Sequence, residues 1–324
     1  MKNKIVALLY QHAGKYLSGQ EISEQLGISR TAVWKHVHTL LQEGYAIETG
    51  HRKGYRLTHQ QDALLPPEIH AHRKTKWLGS KIIYHETIAS TNLWAKEHIV
   101  ELVHGSVVVA DEQTQGRGRM GRQWDSSKGE GIWMTLVLCP DLPMSEGGKI
   151  TQMAAVAMHQ TILQETGLLL KIKWPNDLLI NDRKICGILT EMTGELNRIE
   201  HMYVGIGLNV NQMSFPPDIS TTATSLLQSV HQKTSRSQLL AAFLNQFEDI
   251  YDAYVKHQDY APVLEIARTH SSLLGKPVNV IRGEKKQPGT ALQLHEDGRL
   301  EVEYPNGERE LLSGGEVSIR SLEK

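Results

Sequence analysis

At 324 residues the chain is long enough for two or three domains with a sizeable core, and a 22% charged, 6% aromatic composition does not suit a disordered polymer. Lys plus Arg (35) nearly balance Asp plus Glu (36), so any contact with nucleic acid has to come from a local patch. No apolar run approaches the roughly 18 to 20 residues of a membrane span and Met1-Lys-Asn-Lys-Ile-Val6 lacks a signal-peptide pattern, so a cytoplasmic protein without membrane association is expected.

Ser18-Gly-Gln-Glu21 fits the S-x-x-E capping box and opens a short helix over about 19–26, which Gly27 stops. Ser29 caps a second helix whose apolar face is Val33, Val37, Leu40 and Leu41, ending at Gly44. Helix, tight turn and helix make a helix-turn-helix, with Arg30, Thr31, Trp34, Lys35 and His38 on the face opposite the apolar stripe. Tyr45 to Thr49 and Tyr55 to Thr58 read as two strands around the basic tip Gly50-His-Arg-Lys-Gly54, a wing whose Arg52 and Lys53 suit phosphates. Such a winged helix also serves as a protein-interaction module, but the basic tip and helix face favour DNA. The polar run from Gln60 to Pro67 reads as a domain boundary.

From Lys81 the pattern becomes α plus β. Ile82 to His85 reads as a strand, and Ser90-Thr91-Asn92 starts a helix with more capping-type groups than one cap needs. The surplus hydroxyls and amide suit a small polar ligand at a helix N-terminus, or are merely redundant. Between strand-like runs at 106–111 and 132–139 lies Gln113-Thr-Gln-Gly-Arg-Gly-Arg-Met-Gly-Arg122, in which three glycines alternate with three arginines. It reads as an anion site, the glycines admitting close backbone approach and the guanidinium forks matching carboxylate or phosphate oxygens. Composition alone also allows a flexible nucleic-acid-binding segment, against which the flanking strands argue.

Ser145 to Gln164 reads as a buried helix whose Met and Ala residues pack. Strands over 168–174, 177–181 and 184–192 form an antiparallel meander, and Lys184 stands where a turn enters a buried strand, either reaching into a site or lying on the surface. Gly187 beside it suits close ligand approach, and Gly205 and Gly207, two residues apart in a strand over 203–210, suggest a flat ligand against one face. Helices over 237–256 and to about His270 precede short strands at 278–281, 290–294, 300–304 and 316–320, with turns at Glu296-Asp-Gly298 and Pro305-Asn-Gly307, as in a small SH3-like β-barrel. Arg320 reaches the site or makes a surface ion pair. Cys139 and Cys186 lack partners at metal spacing and read as buried small hydrophobes.

Hydrolase, zinc-protease and phosphate-loop signatures are missing. What remains is positioning chemistry, in which cations around a glycine-cradled oxyanion favour attack of a carboxylate on a nucleotide α-phosphate.

Ser90-Thr-Asn92, Gln113, Gly116-Arg-Gly-Arg-Met-Gly-Arg122 with Trp124, Lys173-Trp-Pro-Asn-Asp177, Arg183-Lys184 with Gly187, and Gly205-Ile-Gly-Leu-Asn209 together resemble the bifunctional biotin protein ligases that also act as biotin operon repressors. The resemblance covers essentially the whole chain. It implies an α+β multidomain protein: a winged helix-turn-helix DNA-binding domain over 1–64, a mixed α/β ligase domain of the class II synthetase-like kind over 65–270, and an SH3-like domain over 271–324. Biotin and ATP would form biotinyl-5′-AMP, and a lysine of the biotin carboxyl carrier domain of acetyl-CoA carboxylase would take the biotinyl group. Both are substrates, with Mg²⁺ and no tightly bound prosthetic group.

The same resemblance implies that Ser90, Thr91, Asn92, Gln113, Gly116, Arg117, Gly118, Lys184, Gly187 and Gly207 bind biotin. Arg119, Arg122, Trp124, Asn176 and Asn209 would meet the nucleotide, with Trp124 on adenine. Lys184 and Arg119 carry the catalytic expectation, Lys184 on the biotin carboxylate and acyl phosphate, Arg119 restraining the adenylate. The metal ligands are unknown, Asp177 being a weak candidate. Expected partners are the carrier protein, operator DNA of biotin genes and a second copy in a ligand-promoted homodimer. Many relatives carry a basic residue where this chain has Met120, so its loop is less cationic. A regulator that binds biotin without catalysis and a lipoate-type transferase are the rival readings; Lys184 with the loop argues against the first, and Gln113 with Gly-Arg-Gly-Arg against the second.

Overall fold

The computed structural model describes residues 1–12, 14–42, 45, 47–50, 52–57, 62–195, 197–282, 285–313 and 318–321. The chain divides into two compact units, one of residues 1–74 with 235–242 and one of 75–234 with 243–324.

The first unit opens with α1 (Lys2–Gln11), a helix the sequence reading passed over, although Ile5, Val6, Leu8 and Leu9 fall on one face and are buried. α2 (Gly19–Leu26) has the full capping box, Ser18 accepting from the Glu21 N–H and Glu21 from the Ser18 N–H, and Gly27 closes it in the left-handed conformation. α3 (Arg30–Gln42) begins at Ser29, whose hydroxyl accepts from the Ala32 N–H. Val33, Val37 and Leu40 face the core with Ile22 and the α1 residues, whereas Leu41 is exposed, because the apolar stripe is one residue narrower than its spacing suggested. β1 (Ile47–Gly50) and β2 (Gly54–Leu57) pair antiparallel as the wing, which is tied back through reciprocal backbone bonds between Leu17 and Tyr55. Gly44, His51, Thr58, Gln60 and Gln61 lie outside the described residues. Pro66 and Pro67 begin α4 (Pro66–His72), since proline fits the first turn of a helix, where no N–H partner is needed. Asp62 accepts from the Arg236 backbone N–H (2.6 Å) and Nε (3.0 Å), and that guanidinium is 2% exposed.

The second unit is built on a sheet. β3 (Ile82–Ile88) leads into α5 (Thr91–Glu97), then β4 (Ser106–Gln113) returns parallel to β3, the right use for a helical crossover. β5 (Gly131–Leu138), with all eight residues buried, is followed by the buried helix α6 (Gly147–Thr166). β6 (Lys171–Lys173), β7 (Asp177–Ile180), β8 (Arg183–Glu195) and β9 (Arg198–Asn209) form the meander. Leu168 to Leu170 stay outside it, so the first of its strands is shorter than its apolar run. Among the described residues the strand order is β3-β4-β5-β9-β8-β7-β6, antiparallel except at β3–β4.

α7 (Leu226–Val230), α8 (Arg236–His257) and α9 (Ala261–Thr269) precede the C-terminal strands β10 (Pro277–Arg282), β11 (Lys285–Leu294), β12 (Leu300–Glu303), β13 (Arg309–Leu312) and β14 (Ser318–Ser321). They make an antiparallel sheet in the order β13-β12-β11-β10-β14. The expected closed SH3-like barrel is not seen among the described residues: β13 and β14 end the sheet on opposite sides. β13 was not foreseen, and Glu316 and Val317 and the side chain of Arg320 lie outside the described residues. No described helix is long and apolar enough to cross a membrane.

Candidate functional site

A cavity opens on the second unit where the N-terminus of α5, the Gly/Arg loop after β4 and the β7–β8 hairpin meet the glycines of β8 and β9. Its lining includes Ser90, Thr91, Asn92, Gln113, Arg117, Gly118, Arg119, Arg122, Trp124, Asn176, Asp177, Lys184, Gly187, Gly207 and Asn209. Residues from five separate stretches of sequence therefore converge on one place. Gly116 is the exception, buried behind the wall against the Trp124 carbonyl and the Ser126 hydroxyl.

One end is neutral and densely hydrogen-bonded. Ser90 precedes α5 but makes no side-chain cap; instead Gln113 Oε1 accepts from the Thr91 N–H (2.9 Å) and from the Thr91 hydroxyl (3.1 Å). The helix is thus started by a residue 22 positions away, which ties α5 to the end of β4 and fixes the Gln113 amide. Its Nε2 donates to Ser126 Oγ at 2.9 Å. Thr135, in the interior of β5, donates to Asn92 Oδ1 (2.5 Å) and lies 2.8 Å from the Thr91 hydroxyl. Asn92 Nδ2 donates to Glu191 (2.8 Å) and to the Leu189 carbonyl (3.2 Å). Thr135, Ser126 and Glu191 escaped the sequence reading, because an isolated hydroxyl in an apolar strand, or a carboxylate in a long one, has no spacing signature.

The opposite end is cationic. Lys184 Nζ pairs with Asp177 Oδ1 at 2.7 Å and stands 5.1 Å from the centre of the Trp124 ring. Asp177 and Gly187 are paired across β7 and β8, so the meander sets Lys184 and Asp177 on adjoining strands. Arg119 Nη1 donates to Asn176 Oδ1 at 2.9 Å, and burial lowers the Arg119 pKa, although a guanidinium remains charged throughout the working range. Arg117 and Arg122 also line the cavity. The loop that carries them is folded: Gly118 N–H donates to the Arg122 carbonyl, Trp124 N–H to the Gly116 carbonyl, and Met120 takes a left-handed backbone (φ 59°).

The glycines of β8 and β9 have a different immediate use from the one their pattern suggested. A Cβ on Gly207 would lie 2.3 Å from Trp124 Nε1, one on Gly187 2.9 Å from the same indole, and one on Gly205 2.5 Å from Asn92 Oδ1. The flat group lying on the paired Gly187 and Gly207 is the protein's own tryptophan. The Trp124 Nε1 atom is buried and has no hydrogen-bond partner among the described residues.

Asn209 is clamped from both sides, donating to the Thr224 carbonyl (3.0 Å) and accepting from Gln212 (3.2 Å). With the Lys184 N–H donating to the Thr222 carbonyl and the Thr224 N–H to that of Lys184, this holds the segment that brings Phe215, Ile219, Thr222 and Ala223 to the cavity wall. That wall was not foreseen, lacking charge or periodicity. Among the described residues no three His, Cys, Asp or Glu side chains gather as a metal site. Cys186 is buried and its thiol pKa raised by that burial, whereas Cys139, just past the end of β5, is exposed, against expectation.

In the first unit, Arg30, Thr31, Trp34, Lys35 and His38 are all exposed on one face of α3, with Trp34 stacked on His38 at 5.3 Å. Arg52 and Lys53 are exposed at the wing tip. Arg56 pairs with Glu48 and lies 4.6 Å from the centre of the Tyr16 ring, bracing the hairpin from below the tip.

Comparison with known proteins agrees with this division of labour. Residues 84–209 match the biotin/lipoate A/B protein ligase family, residues 2–56 an HTH domain and residues 273–320 the biotin protein ligase C terminal domain. The chain is 39% identical over 316 residues to the bifunctional ligase/repressor BirA of Bacillus subtilis, covering 97% of each chain. It is 28% identical over 321 residues to the protein of the same name from Escherichia coli, covering 99% of this chain and 98% of that one. Among solved structures it resembles the biotin protein ligase from Aquifex aeolicus in complex with biotin and ATP, with TM-score 0.66 and 26% identity over 75% of this chain and 100% of that chain.

Proposed function

The chain belongs to the family of bifunctional biotin ligase/repressors, and from that premise we propose that the cavity of the second unit joins biotin to AMP and passes the biotinyl group to a carrier lysine. With the adenylate bound, the protein represses biotin-synthesis genes through its winged helix. The observation that carries the reading is the polarity of this cavity, neutral donors and acceptors at Ser90, Thr91, Asn92 and Gln113 and cations at Lys184 and Arg119. A ureido ring and a carboxylate are the two ends of biotin, and they match the two ends of the site.

In this reading Ser90, Thr91, Asn92, Gln113 and the backbone of Arg117 and Gly118 hold the ureido group, with Gly187 and Gly207 seating the Trp124 indole beside the aliphatic chain. Lys184 turns from Asp177 toward the biotin carboxylate. A carboxylate oxygen attacks the α-phosphorus, the bond from that phosphorus to the bridging oxygen breaks, and pyrophosphate leaves. Lys184 and Arg119 meet the charge that builds on the transferring phosphoryl oxygens, and Arg122, Trp124, Asn176 and Asn209 surround the nucleotide. The carrier lysine, as the free amine, then attacks the acyl carbon, forming the amide and expelling AMP. Mg²⁺ would enter with the triphosphate and help neutralise its charge, with Asp177, released when Lys184 turns to the substrate, as the carboxylate that would help hold it.

Residues 1–64, 65–270 and 271–324 are proposed as the DNA-binding, ligase and C-terminal parts, acting in the cytoplasm. Arg30, Thr31, Trp34, Lys35 and His38 enter a major groove while Arg52 and Lys53 meet phosphates, and an adenylate-promoted homodimer presents two such modules to two half-sites. Incubating the protein with biotin, Mg-ATP and apo carrier domain should release pyrophosphate and label the carrier. Absence of both would overturn the ligase reading. A gel shift on biotin-operon DNA should tighten when biotin and ATP are added together, and an unchanged shift would overturn the coupling.

A further inference from the structure

The turn between β11 and β12 enters the interior of the second unit at Gly298. Its carbonyl accepts two buried hydrogen bonds, from Trp174 Nε1 (2.9 Å) and from Gln152 Nε2 (2.8 Å) on α6. Tyr260, whose pKa burial pushes up, donates to Gln152 Oε1 at 2.9 Å and so fixes which way the amide points. Gln152, Trp174 and Tyr260 are 5%, 4% and 6% exposed, so none of these bonds exchanges readily with water. Gly298 has φ +81°, and a Cβ there would lie 2.8 Å from Gln152 Nε2 and 3.0 Å from the Tyr260 hydroxyl, so a glycine is required.

Two residues beyond Trp174 is Asn176, which is itself held on three sides. Its N–H donates to the Lys173 carbonyl (3.2 Å), its carbonyl accepts from Ile188 and its Nδ2 donates to the Ile188 carbonyl, both at 2.9 Å. Its remaining side-chain oxygen takes Arg119 Nη1. The indole of Trp174 and the side chain of Asn176 therefore fix the two ends of a three-residue segment, one to the C-terminal sheet and the other to the Gly/Arg loop.

We propose that Gln152 and Trp174 are positioning residues for the Gly/Arg loop: through the Gly298 carbonyl they hold the 174–176 segment in the place from which Asn176 orients Arg119. The C-terminal sheet is then a working part of the adenylation site. The inference rests on the ligase reading and adds to it Gln152 and Gly298, which lie outside the site motifs.

Trp174→Phe keeps a ring but removes the Nε1 donor, and Gln152→Met keeps length but removes the amide. Each should speed release of biotinyl-AMP, followed by chasing labelled adenylate off the protein, by about five- to tenfold, the expected scale for one buried hydrogen bond. Gln152→Glu, which restores an acceptor for Tyr260 but not the donor to Gly298, should not rescue. In an Arg119→Ala background the Trp174→Phe and Gln152→Met effects should vanish, because nothing is left to orient; a purely structural role would add to the loss instead. Effects that add in the Arg119→Ala background, or release rates equal to wild type in both single variants, overturn the proposal while leaving the ligase reading intact. A wild-type protein that forms no adenylate at all overturns both.

Discussion

The two ends of the cavity are built on opposite principles. At the neutral end, Thr91, Asn92, Gln113 and Thr135 are joined to one another by short bonds and anchored in α5, β4 and β5. At the cationic end, Lys184 rests against Asp177 and Arg119 against Asn176, on a hairpin and a loop. Neutral recognition demands fixed lone pairs and hydrogens, since a misplaced donor leaves a buried group unpaired. Charge stabilisation tolerates more movement, and a carboxylate counter-ion keeps the cation in place until the substrate carboxylate arrives.

The largest test of this contrast is Lys184→Met. Loss of the ammonium should slow adenylate formation about 10²- to 10³-fold in pyrophosphate exchange, the range for removing one group that stabilises developing charge, with a much smaller change in biotin affinity. Equal losses in both would mean that the cationic end also fixes the ligand.

Gly207→Ala comes next. The added methyl meets Trp124 Nε1 at 2.3 Å, so the indole must leave the sheet, and biotin affinity by calorimetry should fall about tenfold or more. Unchanged affinity would show that the indole moves freely. Thr135→Val deletes a buried hydroxyl that bonds Asn92 and Thr91 and should weaken biotin about fivefold while costing about 1 kcal/mol in urea unfolding. A drop in the chemical step without a drop in affinity would break the division between the ends.

The smallest effect at neutral pH concerns neither end. His159, 2% exposed on α6 and with its ring centre 4.4 Å from that of the tilted His270 ring, has its pKa lowered to about 4 by burial and then by the neighbouring imidazole. Because the folded pKa lies below the unfolded value of 6.5, its contribution is fully present above pH 6.5 and is lost as pH falls toward about 4. His159→Gln should therefore flatten the fall of Tm over that interval and leave the Tm near pH 8 little altered. The same slope in both proteins would discard His159 as the cause.

How much of this the sequence disclosed depended on whether a residue acts in a pattern. Caps, the Gly/Arg loop, the meander turns and the exposed face of α3 follow periodicity or turn chemistry, and they were legible. α1 was passed over for want of a cap, and β13 because Arg309–Leu312 alternates too weakly to stand out. Thr135 and the wall from Phe215 to Ala223 act only through tertiary neighbours, so no local signal marks them. The glycines of β8 and β9 were recognised as places of close approach, but nothing in their spacing distinguishes an incoming ligand from a tryptophan 63 and 83 residues earlier, at position 124 against 187 and 207.

That tryptophan has a consequence for inhibitor selectivity. Its Nε1 hydrogen is already removed from water, a desolvation that typically amounts to about 1–3 kcal/mol and is incurred before any compound arrives. A small molecule that offers an acceptor in line with the indole recovers that penalty, whereas its methylene twin does not. In a matched pair differing by that one atom, the acceptor-bearing compound should bind the wild type about tenfold better and lose the advantage in Trp124→Phe, giving medicinal chemistry a handle independent of the arginines.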